Sequence, residues 1–407
     1  MAALFADPLH DQFGTWPVAY IPYGGADFGE IAAVAAEVGN GDDDAYHAAW
    51  IAAAERLEAE AETTLASGHE SSARELYLRA SVFYATSYHP LFGAPVDRRL
   101  LDAYRRQIAA FNRGLALGPH PVRPQRIPFE SQAMPAYFMP AAGYETEVRP
   151  LIILNNGYDS TSIDMYFLSA VAASRRGYHS LLFEGPGQGE MLYEHGIPLR
   201  PDWEAVIGAV VDFALAHPLV DPSRIALSGT SLGGHLAPRA ASVERRIAAL
   251  IADPGTWSIA DGFRHAFAAM FKLPPEAVAD LGKLDESVMQ RAEQAVRADR
   301  SMHWKVIQRG YWVHGVDNLR DYLASAELYA LAGRAEQIRC PTLITQAEND
   351  PAAADAETFF AALRCPKTFM RFQANEGADG HCEMRNRSLF NRRAFDWLDE
   401  QFNVEMR

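Results

Sequence analysis

Three stretches of the chain carry residue types that work together in covalent acyl chemistry. The first is Gly229-Thr230-Ser231-Leu232-Gly233-Gly234, a G-x-S-x-G pattern. Ile225-Ala226-Leu227-Ser228 reads as a strand just before it, and a helical pattern follows. Strand, sharp turn and helix would hold Ser231 at the tip of a strained backbone. The flanking glycines fit, because side chains there would collide with the strand and the helix. The next helix would turn its N-terminus toward the serine and favour developing negative charge. A serine hydroxyl is a poor nucleophile near neutral pH and needs a base and an acid that orients it. After such a turn the chain order is serine, carboxylate, histidine. Gln346-Ala347-Glu348-Asn349-Asp350-Pro351 follows the apolar run Pro341–Thr345, and Gly377-Ala378-Asp379-Gly380-His381-Cys382 follows the run Lys367–Phe372. Asp350 is the expected acid, with Glu348 as competitor, and His381 the expected base. Thirteen histidines are present, so it is the position after the last strand that selects His381.

An oxyanion formed at Ser231 needs two backbone N–H donors. Leu232, directly after the nucleophile, would supply one. The other would come from the loop after an early strand, and Leu151–Leu154 runs into Asn155-Asn156-Gly157-Tyr158-Asp159. Gly157 permits close approach and Tyr158 is the expected second donor. The Gly-rich stretch Gly185-Pro186-Gly187-Gln188-Gly189 resembles a dinucleotide loop only superficially, because a proline follows the first glycine and no helix is expected to begin at once. Glu184 beside it reads as structural.

The elements that must position these residues alternate. Short apolar runs at Met134–Met139, Leu151–Leu154, Ser180–Phe183, Arg224–Ser228, Ile247–Ala252 and Thr342–Thr345 are separated, for the most part, by helical stretches near 164–176, 203–217 and 232–243. This is the signature of a mainly parallel sheet flanked by helices. Ahead of it, residues 1 to about 40 read as irregular. Helices are expected over Asp43–Ser67, Ser71–Tyr88 and Asp97–Leu115, and Pro119–Arg126 reads as a linker. Between Trp257 and Gln337 the alternation gives way to a long helical stretch rich in Phe, Trp and Tyr. The expected organisation is an N-terminal helical domain (1–120), a first part of the sheet domain (121–256), a helical lid insertion (257–337) and a second part (338–407).

The 407-residue chain is 49% hydrophobic and 22% charged, which excludes wholesale disorder. Its net charge of −15, without any Lys/Arg run, argues against nucleic acid or an anionic membrane as partner. Cys340, Cys365 and Cys382 lack metal-ligand spacing and fit reduced thiols. No signal peptide or membrane helix is expected, so the protein is read as cytoplasmic. His265, His303 and His314 lack ligand spacing, and no metal or cofactor is expected.

Taken together, the Asn155–Asp159, Glu184–Gly189, Gly229–Gly234 and Gly380-His381 motifs, with Arg200-Pro201-Asp202-Trp203-Glu204, resemble the α/β-hydrolase superfamily. The helices ahead of the core and Gly24-Gly25-Ala26-Asp27-Phe28 extend the likeness over nearly the whole chain. The branch it resembles includes 2,6-dihydroxypseudooxynicotine hydrolase and the fungal yellowish-green-pigment polyketide-shortening hydrolases. Ala347, where a glycine is usual, and Glu184, where an aspartate is common, depart from its pattern. The resemblance implies an α/β-hydrolase fold and a Ser231/Asp350/His381 hydrolase, some relatives of which cleave C–C bonds next to a ketone. It implies a small-molecule substrate that is a β-diketone, acyl-aromatic or polyketide-like compound. Trp257, Phe263, Phe267, Trp304 and Trp312, with Phe271 and Tyr311, would cap it or else form lid core. A carboxylesterase, thioesterase or acyl-transferring enzyme using the same triad is the alternative, and a non-catalytic binding protein of this fold is the second. A peptidase of the propeller-lid kind is disfavoured, because repeated four-strand units are absent. The N-terminal helices would complete the pocket or form a homodimer surface.

Overall fold

The computed structural model describes residues 3–404. Eight strands form one sheet: β1 (Gln125–Phe129), β2 (Gln132–Met139), β3 (Arg149–Asn155), β4 (His179–Phe183), β5 (Val220–Thr230), β6 (Ala249–Asp253), β7 (Thr342–Ala347) and β8 (Lys367–Phe372). Their spatial order is β1-β2-β4-β3-β5-β6-β7-β8. The pairs β1–β2 and β2–β4 are antiparallel, and the six strands from β4 to β8 run parallel. Strands β4 and β6 are buried along their whole length, which is why they read as unbroken apolar runs rather than alternating ones. The parallel arrangement brings the C-terminal ends of β3, β5, β7 and β8, and the loops that leave them, to one edge of the sheet. That edge is where open parallel sheets bind ligands.

Two sequence expectations are corrected. The first 40 residues are not irregular: helices occupy Pro8–Gly14, Trp16–Tyr20 and Phe28–Val38. Asp7 caps the first by accepting the N–H groups of Leu9 and His10, and Asp27 and Glu30 form a reciprocal capping box at the third. Strand β1 begins inside the expected linker. Its Pro128 sits on an edge strand, where a missing N–H costs no ladder bond on the open side. The three long N-terminal helices form where expected, at Asp43–Ala66, Glu70–Ser87 and Arg98–Ala116.

Those helices share the hydrophobic core of the sheet. Trp50, Phe83 and Phe111 belong to one buried cluster with Ile152, Leu154, Leu182 and Ile251 of the strands and Phe395 and Leu398 of the last helix, Arg387–Phe402. On the other sheet face Phe13, Tyr88 and Leu100 join Ile153, Leu181 and Leu227. Buried polar groups lock the junction. Tyr20 donates its O–H to Asp164 (2.8 Å), Gln107 donates to Thr161 (2.8 Å), and Tyr104 donates to Glu184 (2.8 Å). Glu184 also accepts the N–H groups of Ser162 and Glu190 (2.9 Å each), and burial raises its pKa. The segment after β6 builds a separate small core of its own around Phe267, Leu281, Met289, Val306 and Leu323. Among the described residues no helix is long and apolar enough to cross a membrane.

The Tyr104–Glu184 bond gives a stability prediction. Tyr104→Phe leaves a buried carboxyl short of one donor and should cost about 1–3 kcal/mol. Urea unfolding followed by far- and near-UV circular dichroism should give a lower midpoint in one shared transition, because helices and sheet are one core. Separate transitions for the two would contradict that.

Candidate active site

Strand β5 ends at Thr230 and the helix Gly233–Ala241 starts three residues later. The turn between them forces Ser231 to φ +59°, a left-handed backbone rare for a residue with a side chain. Three glycines make it feasible. A Cβ on Gly229 would lie 1.9 Å from the Gly233 carbonyl oxygen, one on Gly233 2.5 Å from the Asn155 oxygen, and one on Gly234 2.1 Å from the Pro254 oxygen. The Ser231 N–H is held by the carbonyl of Asp253 at the end of β6 (2.7 Å).

Asp350 follows β7 and His381 follows β8. The structure brings both to Ser231: the Ser231 hydroxyl lies 2.9 Å from His381 Nε2, and His381 Nδ1 lies 2.8 Å from Asp350 Oδ2. Asp350 accepts the Ala352 N–H with its other oxygen (2.9 Å). Its side chain is 2% exposed while the imidazole is 46% exposed, so the carboxylate is shielded and the ring can be reached by a ligand. Glu348 instead accepts the Ala374 N–H, away from the ring. Burial opposes a charged His381, but neighbouring Cys382 and Asp350 outweigh it and raise its pKa above the ordinary histidine value. Burial also raises the Cys382 thiol. Two other histidines near this edge cannot substitute as bases, because burial pulls His235 down to about 4 and His314 to about 3.

Gly157 lies directly against the serine: a Cβ there would be 2.7 Å from Ser231 Cβ. Gln188 explains how that loop is set. Its side-chain amide donates to the carbonyls of Asn156 (3.0 Å) and Gly157 (3.1 Å), and its oxygen accepts the Gly185 N–H (3.0 Å). In a trans peptide the C=O and the next N–H point opposite ways. Holding the Gly157 carbonyl from the Gln188 side therefore turns the Tyr158 N–H to the other side. Among the described residues neither the Tyr158 nor the Leu232 N–H has an acceptor. The Gly185–Gly189 stretch is thus a buttress, and contrary to the sequence reading a short helix, Gly189–Tyr193, does follow it. Gln188 was visible in the motif but nothing near it in sequence pointed to its partners, some 31 residues earlier.

A second missed group is Asp253. Its carboxylate pairs with the fully buried Arg387 and accepts the Thr345 hydroxyl (2.9 Å). Arg387 also donates to the Cys382 carbonyl (3.0 Å), so the loop bearing His381 is tied to the strand end that holds Ser231. Cys382 and Glu383 in that loop both sit at positive φ.

The expected capping aromatics do not form one wall. Phe263 packs on Tyr322 and Phe267 on Phe271 inside the small core of the insertion. Trp304 is fully buried, with its indole N–H donated to the His89 carbonyl (2.7 Å). Trp312 stacks on Tyr193 and meets Phe92, and Trp257 lies against Phe359. Among the described residues no group of three His, Cys, Asp or Glu side chains is placed to hold a metal ion.

Residues 151–387 match the alpha/beta hydrolase family. The chain is 31% identical to hydrolase acrC of Aspergillus aculeatus over 95% of either protein. It is 29% identical to the 20-hydroxy-prefusarin hydrolase FUS2 of Gibberella moniliformis, covering 95% of this chain and 94% of that one. Among solved structures it is similar to 2,6-dihydroxy-pseudo-oxynicotine hydrolase, with a TM-score of 0.72, 21% identity, and coverage of 93% of this chain and 94% of the other. The chain belongs to the alpha/beta hydrolase family, and it is a hydrolase with helices ahead of the shared core.

The His381 loop yields a second stability prediction. Glu383 is 1% exposed, neither of its oxygens has a hydrogen-bond partner among the described residues, and Arg387 lies 3.6 Å from one of them; burial with the nearby Asp253 charge raises its pKa well above the usual value against the pull of Arg387. Below the unfolded pKa of about 4.5 the group is protonated in both states and contributes nothing. Above it the folded state holds the extra proton, so stability falls as pH rises toward the folded pKa. Glu383→Gln removes that slope. Thermal melts should find the variant gaining on wild type from pH 5 to pH 8; a gap independent of pH would contradict the assignment.

Proposed function

We propose that the protein is a serine hydrolase that works through an acyl-enzyme on a ketone- or acyl-containing small molecule, cleaving a C–C bond in a β-diketone, acyl-aromatic or polyketide-like substrate. The observation that carries this reading is the unbroken hydrogen-bond line Ser231–His381–Asp350, at 2.9 and 2.8 Å, beside two backbone N–H groups without acceptors among the described residues. The full-length likeness to a hydrolase named for 20-hydroxy-prefusarin supports a small organic substrate.

The chemistry follows from the geometry. Ser231 Oγ attacks the carbonyl carbon as His381 Nε2 takes its proton, and Asp350 steadies the imidazolium. The carbonyl oxygen becomes an oxyanion held by the N–H groups of Leu232 and Tyr158. When the tetrahedral centre collapses, the C–C bond breaks and its electron pair goes to the leaving carbon. A second ketone next to that carbon spreads the pair as an enolate, which His381 protonates. Water activated by the same imidazole then attacks the acyl-enzyme and frees Ser231 and an acid. An ester or thioester would pass through the same acyl-enzyme with an oxygen or sulfur leaving group.

Intact-mass spectrometry after treatment with a fluorophosphonate should find one adduct on wild type and none on Ser231→Ala. The same variant should lose at least about 10⁴-fold in kcat, and Asp350→Asn about 10³–10⁴-fold. Product analysis with β-diketones beside simple esters decides the bond: turnover of esters alone would overturn C–C cleavage. Because His381 must be neutral to accept the proton and its pKa is raised, the acid limb of kcat/KM should lie above about 6.5. A limb below 6 would contradict the Asp350 contact in the working enzyme.

A further inference from the structure

Two consecutive residues of the loop beside Ser231, Tyr158 and Asp159, are both gripped by the insertion. The Tyr158 phenol lies 2.6 Å from His314 Nε2, and the other ring nitrogen of His314 is hydrogen-bonded to Ser325. Asp159 is paired with Arg309 at 3.0 Å, with both side chains mostly buried. The same guanidinium lies over the Tyr158 ring, 4.5 Å from its centre. The N-terminal region adds a third hold. His89 Nε2 lies 3.2 Å from the Asp159 carbonyl, and the His89 carbonyl accepts the Trp304 indole N–H.

Arg309 and His314 belong to one unusual piece of helix. His303–Tyr311 is wound as a π-helix and continues into one α-turn, Trp312–His314, ended by Gly315 at φ +65°. Widened turns of this kind concentrate at functional sites, because they shift side chains off the ordinary helical register. This segment is itself pinned to the core, since Val313 accepts the Leu199 N–H (2.8 Å).

We propose that His314 and Arg309 are positioning residues for the oxyanion loop: by holding the Tyr158 phenol and the Asp159 carboxylate, the seated insertion fixes the Tyr158 N–H next to Ser231. Gln188 holds the same peptide unit from its carbonyl side, so the unit is clamped front and back. A neutral imidazole has one donor and one acceptor nitrogen, which makes the Tyr158–His314–Ser325 chain directional. Burial keeps His314 neutral, with a pKa of about 3, so the clamp persists through the working pH range. The insertion then contributes to the chemical step, not only to substrate choice. This inference rests on the serine-hydrolase reading.

The test uses the full chain, a fluorophosphonate, and a substrate that wild type turns over. Tyr158→Phe, which removes one oxygen, and His314→Ala should each lower kcat about 10–100-fold, because a loosened donor forfeits part of the 10²–10³-fold that such a donor supplies. KM should stay within about threefold, and the rate of Ser231 phosphonylation should fall in parallel. The double variant should be no worse than the worse single one, since both remove one contact. His314→Gln, which can still bridge Tyr158 and Ser325, should recover most of the loss. A raised KM with unchanged kcat, additive losses, or failure of the Gln variant to recover would overturn the clamp. Phosphonylation of wild type tests the nucleophile separately: a reactive wild type with undiminished variants overturns the clamp alone. If His314→Ala does not fold, Tyr158→Phe decides.

Discussion

The backbone and the carboxylate of one residue, Asp253, hold together the parts on which the site depends. Its carbonyl takes the N–H of the strained Ser231, which would otherwise be a buried donor without a partner. The Cys382 thiol, one residue past His381, reaches the same carbonyl at 3.7 Å. Its carboxylate meets Arg387, which in turn holds the Cys382 carbonyl. A buried ion pair of this kind is not a sure source of stability, because both charges lose water. Its value here is geometric. It locks the end of β6 to the start of the last helix, and so fixes the spacing between Ser231 and His381. The strain at Ser231, Cys382 and Glu383 is tolerated because this one network over-determines the backbone on both sides.

The second constraint is contact distance. Gly157 approaches Ser231 so closely that no side chain fits between them. Such proximity brings a peptide N–H near the nucleophile, yet it does not orient that N–H. Orientation comes from groups scattered through the chain: Gln188 from the loop after β4, His314 and Arg309 from the insertion, and His89 from the N-terminal helices. The side chains proposed as catalytic sit on the sheet edge, while the regions around the sheet act on the peptide plane beside them.

The sequence reading and the structure agree where local pattern and fold coincide. The meeting of Ser231, Asp350 and His381 was legible because each follows a strand at one sheet edge, and a parallel sheet gathers such ends. Strands β3, β4, β6 and β7 and the second half of β5 were legible because buried parallel strands are continuous apolar runs. Asp253 and Arg387 were not legible, since an ion pair between residues 134 positions apart leaves no local periodicity. Gln188 lay in a motif set aside as a false nucleotide loop, because its function is a long-range bond to two carbonyls. Strand β1 was hidden by Pro128, and the first helices by the glycines and prolines between them, whose caps are short-range bonds that composition does not reveal. The aromatics of the insertion read as one group in sequence, but helix packing divides them between an internal core and two separate junctions.

The shared core has a consequence for how the molecule comes into being. The helices carrying Trp50, Phe83 and Phe111 leave the ribosome well before Phe395 and Leu398, which belong to the apolar surface they bury against. Tyr23 accepts a hydrogen bond from Asn391, 368 residues later. Bundles that close on themselves can settle during synthesis; this one has some of its partners delivered late. Contacts of such sequence separation cost loop-closure entropy before they return any energy. The early helices therefore keep part of their apolar face uncovered until those distant partners have been made, and such exposed surface is a hazard for aggregation during synthesis.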